Sequence, residues 1–189
     1  MQLLPRRRSL KVTSTVLKLS PAASSVGLAV VIASGLAWAE AQRTPPVPIA
    51  VVDFDYVDTS GEVQDQRAQH EARLQTFMRA VRDDLAGSGQ YRIVPLVCSQ
   101  APCPTAGSAQ LIKEARSSGA TLLLYGGIHK ESTLIQWMKV EAVEVENGKQ
   151  LFGRLITFRG DTDDAWRRSE QFLIKQLTEG MDPKGTQRP

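Results

Sequence analysis

Two groups of carboxylates are spaced so that they could act together. Asp53 and Asp55 close the apolar run Ile49-Ala50-Val51-Val52, and Asp161, Asp163 and Asp164 follow the apolar stretch that ends at Phe158. Acids at the ends of two strands can converge on a magnesium ion, a hard cation that prefers carboxylate oxygens. Other reactive residues are few. Cys98 and Cys103 are the only cysteines, and His70 and His129 the only histidines. The cysteines lack the C-x-x-C spacing and the helix start that lower a thiol pKa, so a local disulfide is the expected pairing. Two cysteines and two distant histidines are too few for a zinc site. The chain has no G-x-S-x-G, no P-loop and no H-E-x-x-H. Apart from the magnesium alternative, neither a metal nor a cofactor is expected, and both histidines read as structural.

The D-x-D at Asp53-Phe54-Asp55 resembles the first motif of haloacid-dehalogenase-type phosphatases. That resemblance implies a nucleophilic Asp53 and a general acid at Asp55. Gly160-Asp161-Thr162-Asp163-Asp164 is similar to the acidic, magnesium-holding motif of the same superfamily. The chain departs from the pattern in the middle: where a strand should end in Ser or Thr, it has Tyr125-Gly126-Gly127. The second acidic group also follows a hairpin strand, and the same acids serve as strand-end and helix-capping residues. A magnesium-dependent phosphatase using Asp53 and Asp55 is therefore the alternative. The leading expectation is a domain with no catalytic residues.

The start of the chain reads as an address. Arg6, Arg7, Arg8, Lys11 and Lys18 precede the apolar run from Val26 to Ala37, and Ala37-Trp38-Ala39 offers small residues at both positions of an A-x-A cleavage site. Residues 1–39 are thus expected to be a signal peptide, cut after Ala39 or Ala41, that delivers the protein to the periplasm. The apolar run is shorter than the ~20 residues that span a bilayer, so membrane contact is expected only if the segment stays uncleaved. Residues 40–48, with Pro45, Pro46 and Pro48, read as a stiff linker. Five of the 23 basic residues and none of the 20 acidic ones precede Glu40, so the formal +3 becomes 18 against 20, or −2, beyond it. A nucleic-acid binder keeps a basic footprint in its folded part, which excludes nucleic acid as a partner. In an oxidising compartment the Cys98–Cys103 bridge would contribute about 2 kcal/mol by closing a short loop.

The rest must position these groups. Ile49 to Tyr56 reads as the first and central strand, apolar without alternation because helices cover both faces. Asp58-Thr59-Ser60-Gly61-Glu62 turns the chain into a helix from about 64 to 86. Leu74, Phe77, Met78, Val81 and Leu85 form its apolar face, with Arg67–Glu71 and Arg79–Asp83 paired outside. A strand over 91–96 follows, with Pro95 marking an edge or an end. A short helix over 108–118, capped by Ser108, leads to a buried strand from Thr121, in which Gly126-Gly127 marks a bulge or a close approach. Strands over 134–146 and 149–159 join through Asn147-Gly148 as a two-residue turn. The last helix starts at Asp161 or Thr162 and turns Trp166, Phe172, Leu173 and Leu177 to the sheet. The order β-α-β-α-β-β-β-α predicts an α/β domain (an α+β mixed sheet) of five strands over 49–180, followed by a disordered tail over 181–189.

Asp53-Phe54, Asp58 to Glu62, Leu85 to Tyr91, the paired cysteines, Gly119-Ala120 and Arg159 to Arg168 resemble an uncharacterised family of exported bacterial proteins, chiefly alphaproteobacterial. The resemblance implies an exported α/β domain of unknown function and no activity. The β-α-β start resembles the N-terminal domain of TolB. Together these features predict a non-enzymatic domain that binds a periplasmic or envelope protein. Its expected surface is Asp58, Thr59, Glu62, Arg159, Asp161, Asp163, Trp166 and Arg167, an aromatic anchor among charges. A small-ligand sensor with Gly126 and Gly127 lining its cleft is a third reading.

Overall fold

A computed structural model describes residues 44–98, 103 and 107–181. The expected signal peptide, linker residues 40–43, most of the cysteine loop and the tail beyond Met181 lie outside the described residues. The chain divides into two compact units, residues 1–41 and 42–189, and every described residue belongs to the second. Six strands and three helices follow one another: β1 (Val47–Val51), β2 (Asp55–Asp58), α1 (Arg67–Gly87), β3 (Tyr91–Val94), α2 (Ser108–Ser117), β4 (Leu122–Lys130), β5 (Ile135–Glu144), β6 (Gln150–Arg159) and α3 (Asp163–Gly180). The sheet runs β3-β1-β4-β5-β6, and β2 also pairs with β4. Pairing is parallel among β3, β1, β2 and β4 and antiparallel from β4 to β6. None of the described helices is long and apolar enough to cross a membrane.

The sheet has six strands rather than five because the stretch expected to be one strand is broken. Val51 pairs with Leu124 and Asp55 with Gly127, so Val52, Asp53 and Phe54 face only Tyr125 and Gly126. One extra residue in a strand reverses which side chains face which layer. Before the break, Ile49 and Val51 point to the core under α1 and α3, and Ala50 and Val52 to the smaller core under α2. After it, Phe54 and Tyr56 join the first core. Both glycines opposite the break are needed for close approach. A Cβ on Gly126 would strike the Lys139 carbonyl oxygen and press on the Phe54 ring at 3.1 Å, and one on Gly127 would strike the Asp55 carboxylate.

Several boundaries move for local reasons. The linker ends earlier than expected, because Val47 and Pro48 already pair with Tyr91 and Arg92. Gly107, not Ser108, caps α2, and no side chain assists. Arg67 forks onto Asp65 instead of reaching Glu71. The turn at Asn147-Gly148 is wider than two residues: the Gly148 amide donates to the Glu144 carbonyl, and Val145 leaves the ladder to donate to the Thr121 carbonyl. Burial of Val145 under α2 is the compensation. Thr162 caps α3 by accepting from the Ala165 amide at 3.2 Å, with Asp163 and Asp164 in the first turn. Trp166, Leu173 and Leu177 are buried as expected, whereas Phe172 is half exposed on the outer face. Met181, assigned to the tail, is buried, and its carbonyl accepts from the Tyr91 hydroxyl.

Cys98 and Cys103 are bonded to each other and pack against the core under α2. Reducing this bridge is expected to lower the melting temperature by several degrees, the equivalent of about 2 kcal/mol. Thermal melts with and without reductant check this; an unchanged midpoint would mean that the loop gains nothing from closure.

Candidate functional site

The carboxylates picked out as reactive fall into three different environments. Asp53, at the break after β1, pairs with Arg82 of α1. Asp55 lies against Gly127 on the opposite face of the sheet. Asp161, just before α3, sits beneath α1 at the centre of a buried polar network. The three acids that a magnesium phosphatase would need together are therefore divided between the two faces. Among the described residues, no three His, Cys, Asp or Glu side chains are grouped to hold a metal ion.

Asp161 collects donors from four elements. Its Oδ2 accepts from Lys130 Nζ of β4 at 2.8 Å and shares a 2.7 Å hydrogen bond with His70 Nε2 of α1. Its Oδ1 accepts from Arg73 of α1 at 2.8 Å, from the Trp166 indole of α3 at 3.2 Å and from Gln136 of β5 at 3.4 Å. Burial alone would raise the Asp161 pKa, but the hydrogen bonds and charges of Lys130 and His70 outweigh it and hold the carboxyl down at about 2. Lys130 is fully buried. Besides Asp161 its ammonium binds Glu62 and Gln66, and Asp58 lies 3.9 Å away. Burial disfavours its charge, yet these hydrogen bonds raise its pKa above the ordinary lysine value. The ammonium thus sits among the carboxylates of Asp58, Glu62 and Asp161 and supplies their positive charge. The network is a clamp that ties the end of β2, the following loop, α1, β4, β5 and the start of α3.

Two of the concave surfaces among the described residues lie near these groups. The larger, of about 540 Å³, runs between α1 and α3. Its floor is apolar, from Ala72, Phe77, Ala80 and Trp166; Arg73, Asp163, Arg167 and Glu170 supply the charge. Asp163 is exposed at the rim and accepts from Arg73 at 2.7 Å, and Arg167 pairs with Asp164. Glu170 is only 3% exposed, and its Oε1 has no hydrogen-bond partner. The second surface, of about 350 Å³, opens on the other face of the sheet. Gly126 and Gly127 line it with Asp55, Tyr125, His129 and Trp137.

The residues expected to form a binding surface are thereby sorted. Asp58, Glu62 and Asp161 meet at Lys130, and Thr59 binds His129 Nε2 at 2.6 Å. Asp163, Trp166 and Arg167 meet on the groove between the helices. Trp166 is 3% exposed, so its ring forms the groove floor and its edge anchors Asp161. Arg159 stands exposed at the end of β6, paired in register with Ile135.

A family model described as Protein of unknown function (DUF2380), under the name DUF3280, matches residues 47–177. The chain belongs to the DUF3280 family. The match begins at the first residue of β1 and ends at Leu177, the last buried side chain of α3 itself, so the DUF3280 unit is the whole sheet with its helices. No curated protein sequence matches the chain. Solved structures with a similar course include the LpoB C-terminal domain from Salmonella enterica, 14% identical with a TM-score of 0.43 over 60% of this chain and 83% of that one. A PelC dodecamer from Paraburkholderia phytofirmans is 15% identical, with a TM-score of 0.46 over 74% and 89%. TolB from Acinetobacter baumannii is 13% identical, with a TM-score of 0.45 over 74% of this chain and 29% of that one. At such identities no residue role passes from them to this DUF3280 chain.

Sequence reasoning missed Lys130, Gln66, Arg73, Gln136 and Glu170. Two of them carried a signal. Leu122, Leu124 and Ile128 put Lys130 on the buried face by period two, and Trp166, Leu173 and Leu177 put Glu170 on the buried stripe of α3 by helical spacing.

Proposed function

We propose that this chain is an exported, non-enzymatic domain of the cell envelope that binds a protein partner through the groove between α1 and α3. One observation carries the reading: Asp163, Trp166 and Arg167 line a single groove with an apolar floor and charged rim. That is the anatomy of a protein interface, where a desolvated centre supplies affinity and the polar rim supplies orientation. The Cys98–Cys103 bridge fits an oxidising compartment, in keeping with the export segment read from the sequence. Asp53 pairs with Arg82 and Asp161 with Lys130, which supports a structural role for both acids.

Crosslinking in native periplasm, followed by mass spectrometry of what copurifies, tests this. Arg167→Glu changes an exposed residue and should leave the melting temperature within a degree or two. It is expected to cut capture of the partner at least tenfold, the effect of about 1.4 kcal/mol. Undiminished capture by this variant would remove the groove from the interface. Magnesium-dependent phosphatase turnover that is lost in Asp53→Asn would replace the reading altogether.

A further inference from the structure

The groove between α1 and α3 holds one feature that neither the clamp nor the interface reading uses. Glu170 lies on its lining at 3% exposure, and its Oε1 accepts no hydrogen bond. A buried polar atom without a partner is costly and uncommon. The same carboxyl lies close enough to Asp84 of α1 to share a hydrogen bond with it, so two acids face each other. The other charged groups of the groove are committed elsewhere: Arg73 to Asp161 and Asp163, and Arg167 to Asp164. From the sheet, β6 brings Phe152 against the end of α3 and Phe158 against Trp166. The groove thus has an apolar floor, a neutralised rim and one unmatched acidic position set into its wall.

We propose that this position receives an alkylammonium group, the side chain of a lysine in the partner, with its methylenes along Ala72, Phe77 and Ala80 and its nitrogen on Glu170 Oε1. The proposal rests on the interface reading and names the chemistry of the partner. A lysine fits because its apolar stem can lie on a hydrophobic wall while the charged head reaches an acid. Burial, then the charge of Asp84 and the hydrogen bond with it, raises the Glu170 pKa to about 7. An arriving ammonium takes the place of the proton, which leaves to solvent. Affinity for the ammonium should therefore rise with pH through 7. With the ionised fraction setting the apparent affinity, binding at pH 8 should be about 30-fold tighter than at pH 5.5.

Hexylamine serves as the probe, with 1-hexanol as its uncharged analogue. Both are titrated into the isotopically labelled full chain while the indole N–H signal of Trp166, on the groove floor, is followed by NMR. Hexylamine is expected to bind at least tenfold more tightly than hexanol at pH 8, to lose that advantage at pH 5.5, and to lose it at both pH values in Glu170→Gln. That variant keeps the shape and removes the ionisable acid, so it should melt no lower than the parent at pH 8. Equal binding of amine and alcohol, or a preference that survives Glu170→Gln, would overturn the proposal. A partner captured through Arg167 but indifferent to Glu170→Gln would also overturn it and leave the interface reading intact. Hexylamine selectivity without any Arg167-dependent partner would support the amine site and sink the interface.

Discussion

Lys130→Met is expected to remove about 3–5 kcal/mol of folding stability, the cost of breaking a buried ion pair by deleting one partner. The substitution keeps the apolar stem and removes the ammonium. Asp58, Glu62 and Asp161 would then face one another around an empty position, with Arg73 the remaining permanent charge bonded to Asp161. A domain stable by 5–15 kcal/mol loses a large share of its margin to such a change. Urea unfolding at neutral pH measures it; a loss below about 1 kcal/mol would mean that water screens the network as it does a surface pair. The pH dependence gives a second reading. Asp161 is held down at about 2 in the fold against an ordinary 3.8, so its contribution is present above 3.8 and is lost as pH falls through 2. Lys130, raised above its ordinary 10.5, keeps its contribution across that range and loses it only at high pH. Between pH 4 and pH 2 the parent should therefore lose stability more steeply than Lys130→Met, in which Asp161 has lost the buried ammonium that helps hold its pKa down.

Gly126→Ala should cost nearly as much, about 3 kcal/mol, at the upper end of what overpacking a close-packed interior costs. One added methyl group would meet the Lys139 carbonyl oxygen, an atom of the β5 ladder, and the Phe54 ring at 3.1 Å. Neither can retreat cheaply. The carbonyl belongs to the central antiparallel pair, and Phe54 is buried where the extra residue between β1 and β2 delivers it. Gly87→Ala is the control: nothing lies within 4 Å of a Cβ there, the residue ends α1, and alanine is the better helix former. Equilibrium unfolding should show Gly87→Ala at or slightly above the parent and Gly126→Ala well below it. Equal midpoints for all three would mean that the break in the first strand adjusts freely and does not fix the sheet.

The break shows where reading along the chain stops. Ile49 to Val52 announced a strand buried on both faces, and that holds, since α1 and α2 supply the two covers. The Gly126-Gly127 pair announced a close approach, which also holds. That Phe54 and Asp55 would be the groups approaching, and that the strand would split to bring them there, depends on β4, about 70 residues later in the chain. The acids behave in the same way. Asp161 and Thr162 were legible as the start of the last helix, with Asp163 in its first turn. The partners of the two acids, His70 and Arg73, lie about 90 positions earlier.

By itself, then, the sequence determined what depends on neighbours a few residues apart: periods of two and 3.6, the start of the last helix at Asp161 or Thr162, the turn at Asp58 to Gly61, and the bonding of two cysteines five positions apart. Only the tertiary structure decided which charges are matched. Lys130 and Glu170 occupy equally buried positions on their elements, yet one lies among three carboxylates and the other opposite a second acid. Coulomb energy depends on distance in space and not along the chain. The difference between a closed clamp and an acid with an unfilled position therefore arises only when α1 and α3 are laid together on the sheet.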